Sequence, residues 1–391
     1  MQSVLKRAGE LGEYLSAIRR ELHRRPELAL NEYGTARVIE RELDRIGVGH
    51  RRVGATGVLG IVQGGAGGGA VALRADIDAL PIREETRAAY RSETAGVMHA
   101  CGHDAHTACL IGAARILSER AADFRGEVRL MFQPAEETGG GAADFLDSGV
   151  LDGARRVFGL HVAPDLRLGT VGITPGLNNA AVDHFRVRIH GKSAHVAAPE
   201  LGADALYAAS QVVVAIQGIV ARRTSPTEPV ILGVGKLNAG TTYNAVAEYA
   251  ELEGTTRTIS ERARLEMRER IDETARHIAA VSGAEAETVW TGICSALVNA
   301  PEACTEAGNI ARELGFAVVD NRPLSLSGDN FAEYLRRVPG CYAYLGTSNP
   351  DFPDTLAGIH NCHFNLDEAA LPLGAALYAA CTLRWMRSEC P

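Results

Sequence analysis

One feature constrains this chain more than any other: strand-like and helix-like apolar patterns alternate along it, and a block of different order interrupts them once. Strand patterns fall at 58–62, 70–75, 128–132 and 156–162, and helical spacing at 105–121 and 142–146. That rhythm predicts an α/β sheet. Ahead of it, GEYLSAIRRELHRRPE carries helical spacing that stops at Pro26, and a second helix is expected over 32–46. From Asp183 the order changes to strand 185–189, helix 203–223, strands 230–237 and 248–257, helix 261–281 and strand 285–290. The order β-α-β-β-α-β is ferredoxin-like, and about a hundred residues are enough to fold alone. From Pro301 the α/β character returns. The expectation is an α/β fold: a discontinuous α/β-sheet domain, residues 1–181 and 294–391, with a ferredoxin-like α+β domain inserted at 182–293.

Length and charge agree with this picture. A chain of 391 residues is too long for one simple core. A net charge of −8 argues against nucleic acid and anionic membranes as partners. No run reaches the roughly 18–20 apolar residues of a membrane span, and MQSVLKRAGELGEYL lacks the apolar core of a signal peptide, so a cytoplasmic protein is expected. Eight cysteines, at 101, 109, 294, 304, 341, 362, 381 and 390, are scattered and read as reduced thiols, most of them small buried hydrophobes. The GGAGGG run at 64–69 precedes a strand instead of following one and opening a helix. It therefore reads as a hairpin loop, not a phosphate loop.

The chemistry concentrates in a few segments. In MHACGHDAH, Cys101 and His103 flank Gly102 and share a face only if the backbone is extended or looped. Asp104 is expected to cap a helix starting at Ala105, which places the thiol where the helix field favours thiolate. Glu136 and Glu137 follow the strand EVRLMFQP. In extended backbone they point oppositely, so one can bind metal while the other faces water. His161 ends another strand in FGLHVAP, and Asp76 and Asp78 close AVALRADID. His195 lies in GKSAHVAAP, and His360 in GIHNCHF. Each is weak alone, but most gather at strand carboxyl ends or in loops, where open sheets build their sites. A thiolate, imidazoles and carboxylates together suit Zn, Mn, Co or Ni and are poor for Mg or Ca. A hydrolytic metal site with two ions is the reading these residues favour. A cysteine–histidine nucleophilic dyad is the alternative from the same residues.

The segments LHRRPELALNE, LRADIDALPI, MHACGHDAHTA, FQPAEE, GLHV, GKSAH, AGTTYNAVAE and HNCHFNLDE occur in this order. The chain thereby resembles the hippurate hydrolase and N-acyl-amino-acid amidohydrolase family. That family includes the auxin-conjugate hydrolases and is related to dinuclear metallopeptidases of the aminoacylase and carboxypeptidase G type. The resemblance implies that Cys101 bridges two divalent ions, Mn or Zn foremost, with Co or Ni as alternatives. It pairs Glu137 with His161 on one ion, and His103 with His360 on the other. It makes Glu136 the general base and Asp76 a support behind the ligands. The inserted domain becomes a lid and the surface of a homodimer. From that lid His195 would stabilise the oxyanion, in its own site or the partner subunit's, and Asn244 and Arg257 would meet the substrate.

The implied reaction is amide hydrolysis of an N-acyl amino acid by metal-bound hydroxide. Two ions supply a nucleophile at neutral pH and polarise the carbonyl. A dipeptidase or carboxypeptidase of the same class acting on a dipeptide is the runner-up, and a non-catalytic binding protein is a third possibility. The chain departs from the family pattern at Ala239–Gly240, at Cys362 after His360–Asn361, where proline is usual, and at Gly328–Asp329–Asn330–Phe331. These departures are expected to face the substrate.

Overall fold

The computed structural model describes residues 1–387, and Cys390 lies outside them. The chain divides into two compact units. One comprises Met1–Asn178, Val298–Pro323 and Asp329–Pro391; the other comprises Asn179–Leu297 and Leu324–Gly328.

The first unit is built on an eight-stranded mixed sheet. Edge to edge its strands are Gly49–Val53, Gly57–Gln63, Arg125–Gln133, Gly65–Asp76, Ala154–Arg167, Gly340–Ser348, Thr170–Gly172 and Ala317–Val319. The four from Arg125–Gln133 to Gly340–Ser348 are mutually parallel, so their carboxyl ends open on one side. In register, Asp76 sits opposite Gln133, Arg74 opposite Gly159, and His161 opposite Tyr344. The glycine run does not form a hairpin. Strands Gly57–Gln63 and Gly65–Asp76 lie on opposite sides of Arg125–Gln133, and the run is the irregular start of the second, with Gly65 pairing Arg125 and Ala70 pairing Glu127.

Helix His103–Glu119 runs through the core, with 14 of its 17 residues buried. It packs against Ala370–Arg387, another almost wholly buried helix. Small residues set their separation: a Cβ on Gly112 would meet Ala375 Cβ at 2.8 Å, and one on Gly374 would meet Cys109 Sγ at 2.6 Å. Helix all-round hydrophobicity of this kind marks a core helix, not a surface one.

The second unit has a four-stranded antiparallel sheet in the order Glu285–Cys294, Ala181–His190, Tyr249–Thr258, Val230–Ala239. Along Tyr249–Thr258 burial alternates with period two, and Ala250 and Leu252 join Val212, Ile216, Met267 and Ile271 from helices Ala205–Gly218 and Glu261–Val281 in one core. Both helices are capped: Asp204 accepts from Leu206 and Tyr207 N–H at 3.0 Å, and Ser260 from Ala263 N–H at 3.1 Å. The first helix runs on through a π turn, Ile219–Arg223. Contrary to the sequence expectation, Ala205–Arg223 is long and apolar enough by composition to cross a membrane. Its Ala205, Ala208, Ala209, Val212 and Ile216 are buried in this unit's core, whereas Leu206, Tyr207 and Val214 are exposed.

Candidate metal centre

Gly102 (φ +84°) delivers Cys101 and His103 to the carboxyl end of the sheet; a Cβ there would lie 2.5 Å from Val162 Cγ2. The helix begins at His103, with Gly102 and not Asp104 as its cap. Asp104 is instead buried in an ion-pair network: its Oδ2 accepts from Arg19 Nε at 3.1 Å and from His23 Nδ1 at 2.7 Å. That ties the site loop to helix Gly12–Arg24. Glu136 and Glu137 are not on extended backbone either. Ala135 takes φ +57° and starts a single 3₁₀ turn, Glu136–Thr138. His360 also has positive φ, +59°. Non-glycine residues in this region store strain that functional sites can exploit.

The side chains converge. Cys101 Sγ lies 3.3 Å from His161 Nε2; Glu137 Oε1 lies 3.3 Å from His360 Nε2 and 3.8 Å from His103 Nε2. Two triplets have donor atoms within 4.8 Å of one another and share the sulfur: Cys101–His103–His161 and Cys101–Glu137–His360. This grouping differs from the one the resemblance implied, because His103 falls with His161 and Glu137 with His360.

Hydrogen bonds fix which ring nitrogens are free. His103 Nδ1 faces Asp78 Oδ1 at 3.2 Å, so it carries the proton and leaves the Nε2 lone pair open. His161 Nδ1 donates to Val162 O at 2.7 Å, which frees its Nε2 in the same way. His106 is different. Its Nδ1 donates to Asp76 Oδ1 at 2.5 Å and its Nε2 accepts Val162 N–H at 2.9 Å, so no lone pair remains for an ion.

Of the buried side-chain atoms without a hydrogen-bond partner among the described residues, two belong to this cluster, His103 Nε2 and Glu137 Oε1. Native proteins rarely bury such groups unsatisfied. Nitrogen, sulfur and carboxylate oxygen aimed at a common volume is the donor set of a zinc-class ion, and the residues fit that group.

The electrostatics agree. Burial, then the Glu137 charge, pushes the Cys101 thiol well up. Burial, then Asp329 and Glu137, also pushes Glu136 well up. Burial opposes ionisation of Glu137, but His360 and His103 hold it below its usual range. Burial depresses His103, yet the charges of Asp76 and Cys101 prevail and raise it. Burial, with His106 alongside, lowers His161 to about 3. Divalent cations here would reverse the burden on the thiol and carboxylates.

Behind these side chains lies a polar layer that the sequence reading largely missed. Asp78 accepts both His103 Nδ1–H and, through Oδ2, Glu137 N–H at 3.0 Å. Arg74, fully buried, donates to Asp76 Oδ2 at 2.6 Å, Gln133 Oε1 at 3.0 Å and Asn330 Oδ1 at 3.0 Å. Asn330 N–H donates to Glu136 Oε1 at 3.3 Å, and Tyr342 donates its hydroxyl to Asp329. Asp329 and Asn330, expected to face substrate, are instead buried within this network. The readable signal was the period-two run Arg74–Asp76–Asp78 in an otherwise apolar strand.

In the second unit, His195 and Asn244 come together. His195 bridges Ala245, and Val196 N–H donates to Asn244 O at 3.2 Å. His195 Nδ1 accepts Ala197 N–H at 3.0 Å, so the neutral ring carries its proton outward on Nε2. Arg257 is elsewhere. It lies eight residues along the strand from Tyr249, about 27 Å at strand rise. There it is half-buried, donates to Thr256 O at 3.1 Å, and has a pKa lowered by burial.

Comparison with known proteins completes the picture. The chain is 41% identical to an N-acetyl-L-cysteine deacetylase of Bacillus subtilis, over 92% of this chain and 85% of that protein. It is 34% identical to IAA-amino acid hydrolase ILR1-like 4 of Arabidopsis thaliana, over 98% and 88%. A solved structure from Bacillus subtilis, described as a dinuclear metal binding peptidase from M20 family, superposes with a TM-score of 0.82 at 35% identity, covering 97% of this chain and 99% of that one. Residues 72–384 match the profile of peptidase family M20/M25/M40. The chain belongs to that family and is a metal-dependent hydrolase of amide bonds.

Proposed function

We propose that this chain is an N-acyl-amino-acid hydrolase that takes two metal ions: Cys101, His103 and His161 would hold one, and Cys101, Glu137 and His360 the other. The observation that carries this reading is that the sulfur belongs to both triplets. Mn and Zn are the ions we assign, with Co or Ni able to substitute; the donor set favours none of them decisively. When bound, the pair supplies Lewis acidity and lowers the pKa of water.

The chain's own groups do the rest. Asp78 holds His103 and the Glu137 backbone in place, and Asp76 Oδ2 lies 3.6 Å from His103 Nε2, the nitrogen turned toward the donor cluster. Glu136 is the general base. Its Oε1 is anchored by Asn330 N–H, which positions the carboxylate to take a proton from the attacking water and pass it to the leaving amine nitrogen. His195, with its proton on Nε2, donates to the developing oxyanion.

The inserted unit is a ferredoxin-like lid, a reading supported by its β-α-β-β-α-β order. His195 and Asn244 stand at one end of its sheet and Arg257 at the other, a separation too large for all three to meet one small substrate. We therefore assign them to different active sites of a homodimer, with Arg257 receiving a substrate carboxylate. The edge strand Val230–Ala239 and exposed Leu206, Tyr207, Val214, Ile231 and Leu237 support the lid as the dimer surface. No disulfide joins the described cysteines, which suits a reducing compartment, so we place the enzyme in the cytoplasm.

The test is release of free amino acid from hippurate, N-acetyl-Met, N-acetyl-Phe, an N-acyl-Gln and a dipeptide, with Mn, Zn, Co or Ni restored to chelated protein. Cleavage of acyl amino acids above the dipeptide supports the proposal. The reverse order favours a peptidase, the second reading, in keeping with the solved relative described as one.

A further inference from the structure

His360 belongs to a short loop whose next residues make a second cluster. Cys362 Sγ stands 3.7 Å from Glu85 Oε2, and His363 Nε2 stands 3.6 Å from the same oxygen. Sulfur, imidazole nitrogen and carboxylate oxygen all lie within 4.8 Å of one another. The backbone presenting them is fixed. Glu85 N–H donates to Cys362 O at 2.9 Å, joining the two loops. His360 N–H donates to Ala100 O at 2.8 Å, His363 N–H to Asn361 Oδ1 at 2.8 Å, and the buried Phe364 closes the loop through its N–H to Asn361 O at 2.9 Å.

The spacing can be compared with that of a coordinated ion. With metal–sulfur bonds near 2.3 Å and metal–oxygen or metal–nitrogen bonds near 2.0–2.1 Å, a tetrahedral angle puts S···O at about 3.5 Å and N···O at about 3.3 Å. The observed separations exceed these by a few tenths of an ångström, within the reach of side-chain rotation at an exposed site. The thiol and the imidazole both converge on one carboxylate oxygen, Glu85 Oε2.

We propose that Glu85, Cys362 and His363 form an accessory site for a thiophilic divalent cation of the zinc class, separate from the donors around Cys101. Binding exchanges the Cys362 thiol proton for the ion and releases that proton to solvent. Three protein donors leave a fourth position for water. One sulfur, one nitrogen and one oxygen favour zinc over manganese, so this site discriminates between ions more sharply than a carboxylate-rich one.

The test uses the intact, reduced enzyme, stripped with chelator and dialysed against rising free Zn²⁺, with bound metal counted by elemental analysis. Wild type is expected to bind one more, weaker zinc equivalent than either Cys362→Ser or His363→Ala, with a matching loss of released protons. Mn²⁺ should not fill that equivalent. Equal zinc stoichiometry in wild type and variants overturns the proposal, as does an extra equivalent that takes up Mn²⁺ as readily. Thermal unfolding checks that the variants fold. His363 is exposed, so its replacement decides the matter even if Cys362→Ser does not fold.

Discussion

Replacing Asp78 with asparagine isolates what the layer behind the metal site contributes. Asp78 is 1% exposed, and both its oxygens accept: Oδ1 from His103 Nδ1 at 3.2 Å, and Oδ2 from Glu137 N–H at 3.0 Å. An asparagine has the same shape but only one accepting oxygen. Whichever way its amide turns, an NH₂ group faces an N–H donor. Either His103 loses the partner that fixes its tautomer, or the turn carrying Glu137 loses its anchor. In the proposed assignment, built on the two triplets that share the sulfur, His103 and Glu137 serve different ions, so one ion is expected to be affected. Loss of such a supporting hydrogen bond typically weakens metal binding about 10–100-fold, or about 1.4–2.7 kcal/mol. The assay is competition with a chromophoric chelator, read as two successive dissociation constants. One constant should rise by that factor while the other stays within about threefold. If both constants are unchanged, Asp78 does not orient the ligands; if both ions are lost together with the fold, its role is structural.

Glu136→Gln should keep full metal content and lose about 10²–10⁴-fold in kcat, the usual worth of general acid–base help; substantial turnover in metal-loaded variant would exclude Glu136 as base. His195→Ala should lower kcat about 10²-fold with little change in metal content, as removal of an oxyanion donor does, and mixing it with an inactive Glu136→Gln variant should restore activity only if the lid serves the partner's site. In the second unit, Asp183 accepts from Arg264 and Arg268 at 2.6–2.8 Å. Burial raises the Asp183 pKa, but these two arginines outweigh it, and the pKa is depressed overall. Its stabilising effect is therefore complete above the unfolded value of about 3.9 and is lost as pH falls through the lower folded value. Asp183→Asn should be less stable than wild type at pH 7 by urea unfolding, and the gap should close below about pH 4; a gap independent of pH would show that the charge is not what matters.

Much of this was legible in the chain. The strands at 128–132 and 156–162 lie within Arg125–Gln133 and Ala154–Arg167, and the expected helix at 261–281 is observed as Glu261–Val281. Periodicity carries that information because burial on one face is a local property of the sequence. Gly102 and the acidic pair after an apolar strand were equally visible, since a turn and a strand end are written in adjacent residues. Asp104 was misread for the same reason: an acidic residue before a helix looks like a cap, and nothing nearby in sequence announces Arg19 and His23 as its partners.

What the sequence alone determined, then, was the inventory of candidate residues, Cys101, His103, Glu136, Glu137, His161 and His360, most of them in turns or at a helix start; His161, expected at a strand end, lies within the strand Ala154–Arg167. Tertiary structure decided how they pair and what stands behind them. The parallel register sets Asp76 beside Gln133, and His161 beyond Gly159, the partner of Arg74. Hydrogen bonds to Asp78 and to Val162 O choose which imidazole nitrogens stay free, and a sulfur shared between two triplets regroups the candidate ligands. Most of these contacts join residues tens to hundreds of positions apart, although His161 and Val162 are neighbours. Local pattern cannot encode them, because the strand pairing that brings them together is fixed only when the whole sheet packs.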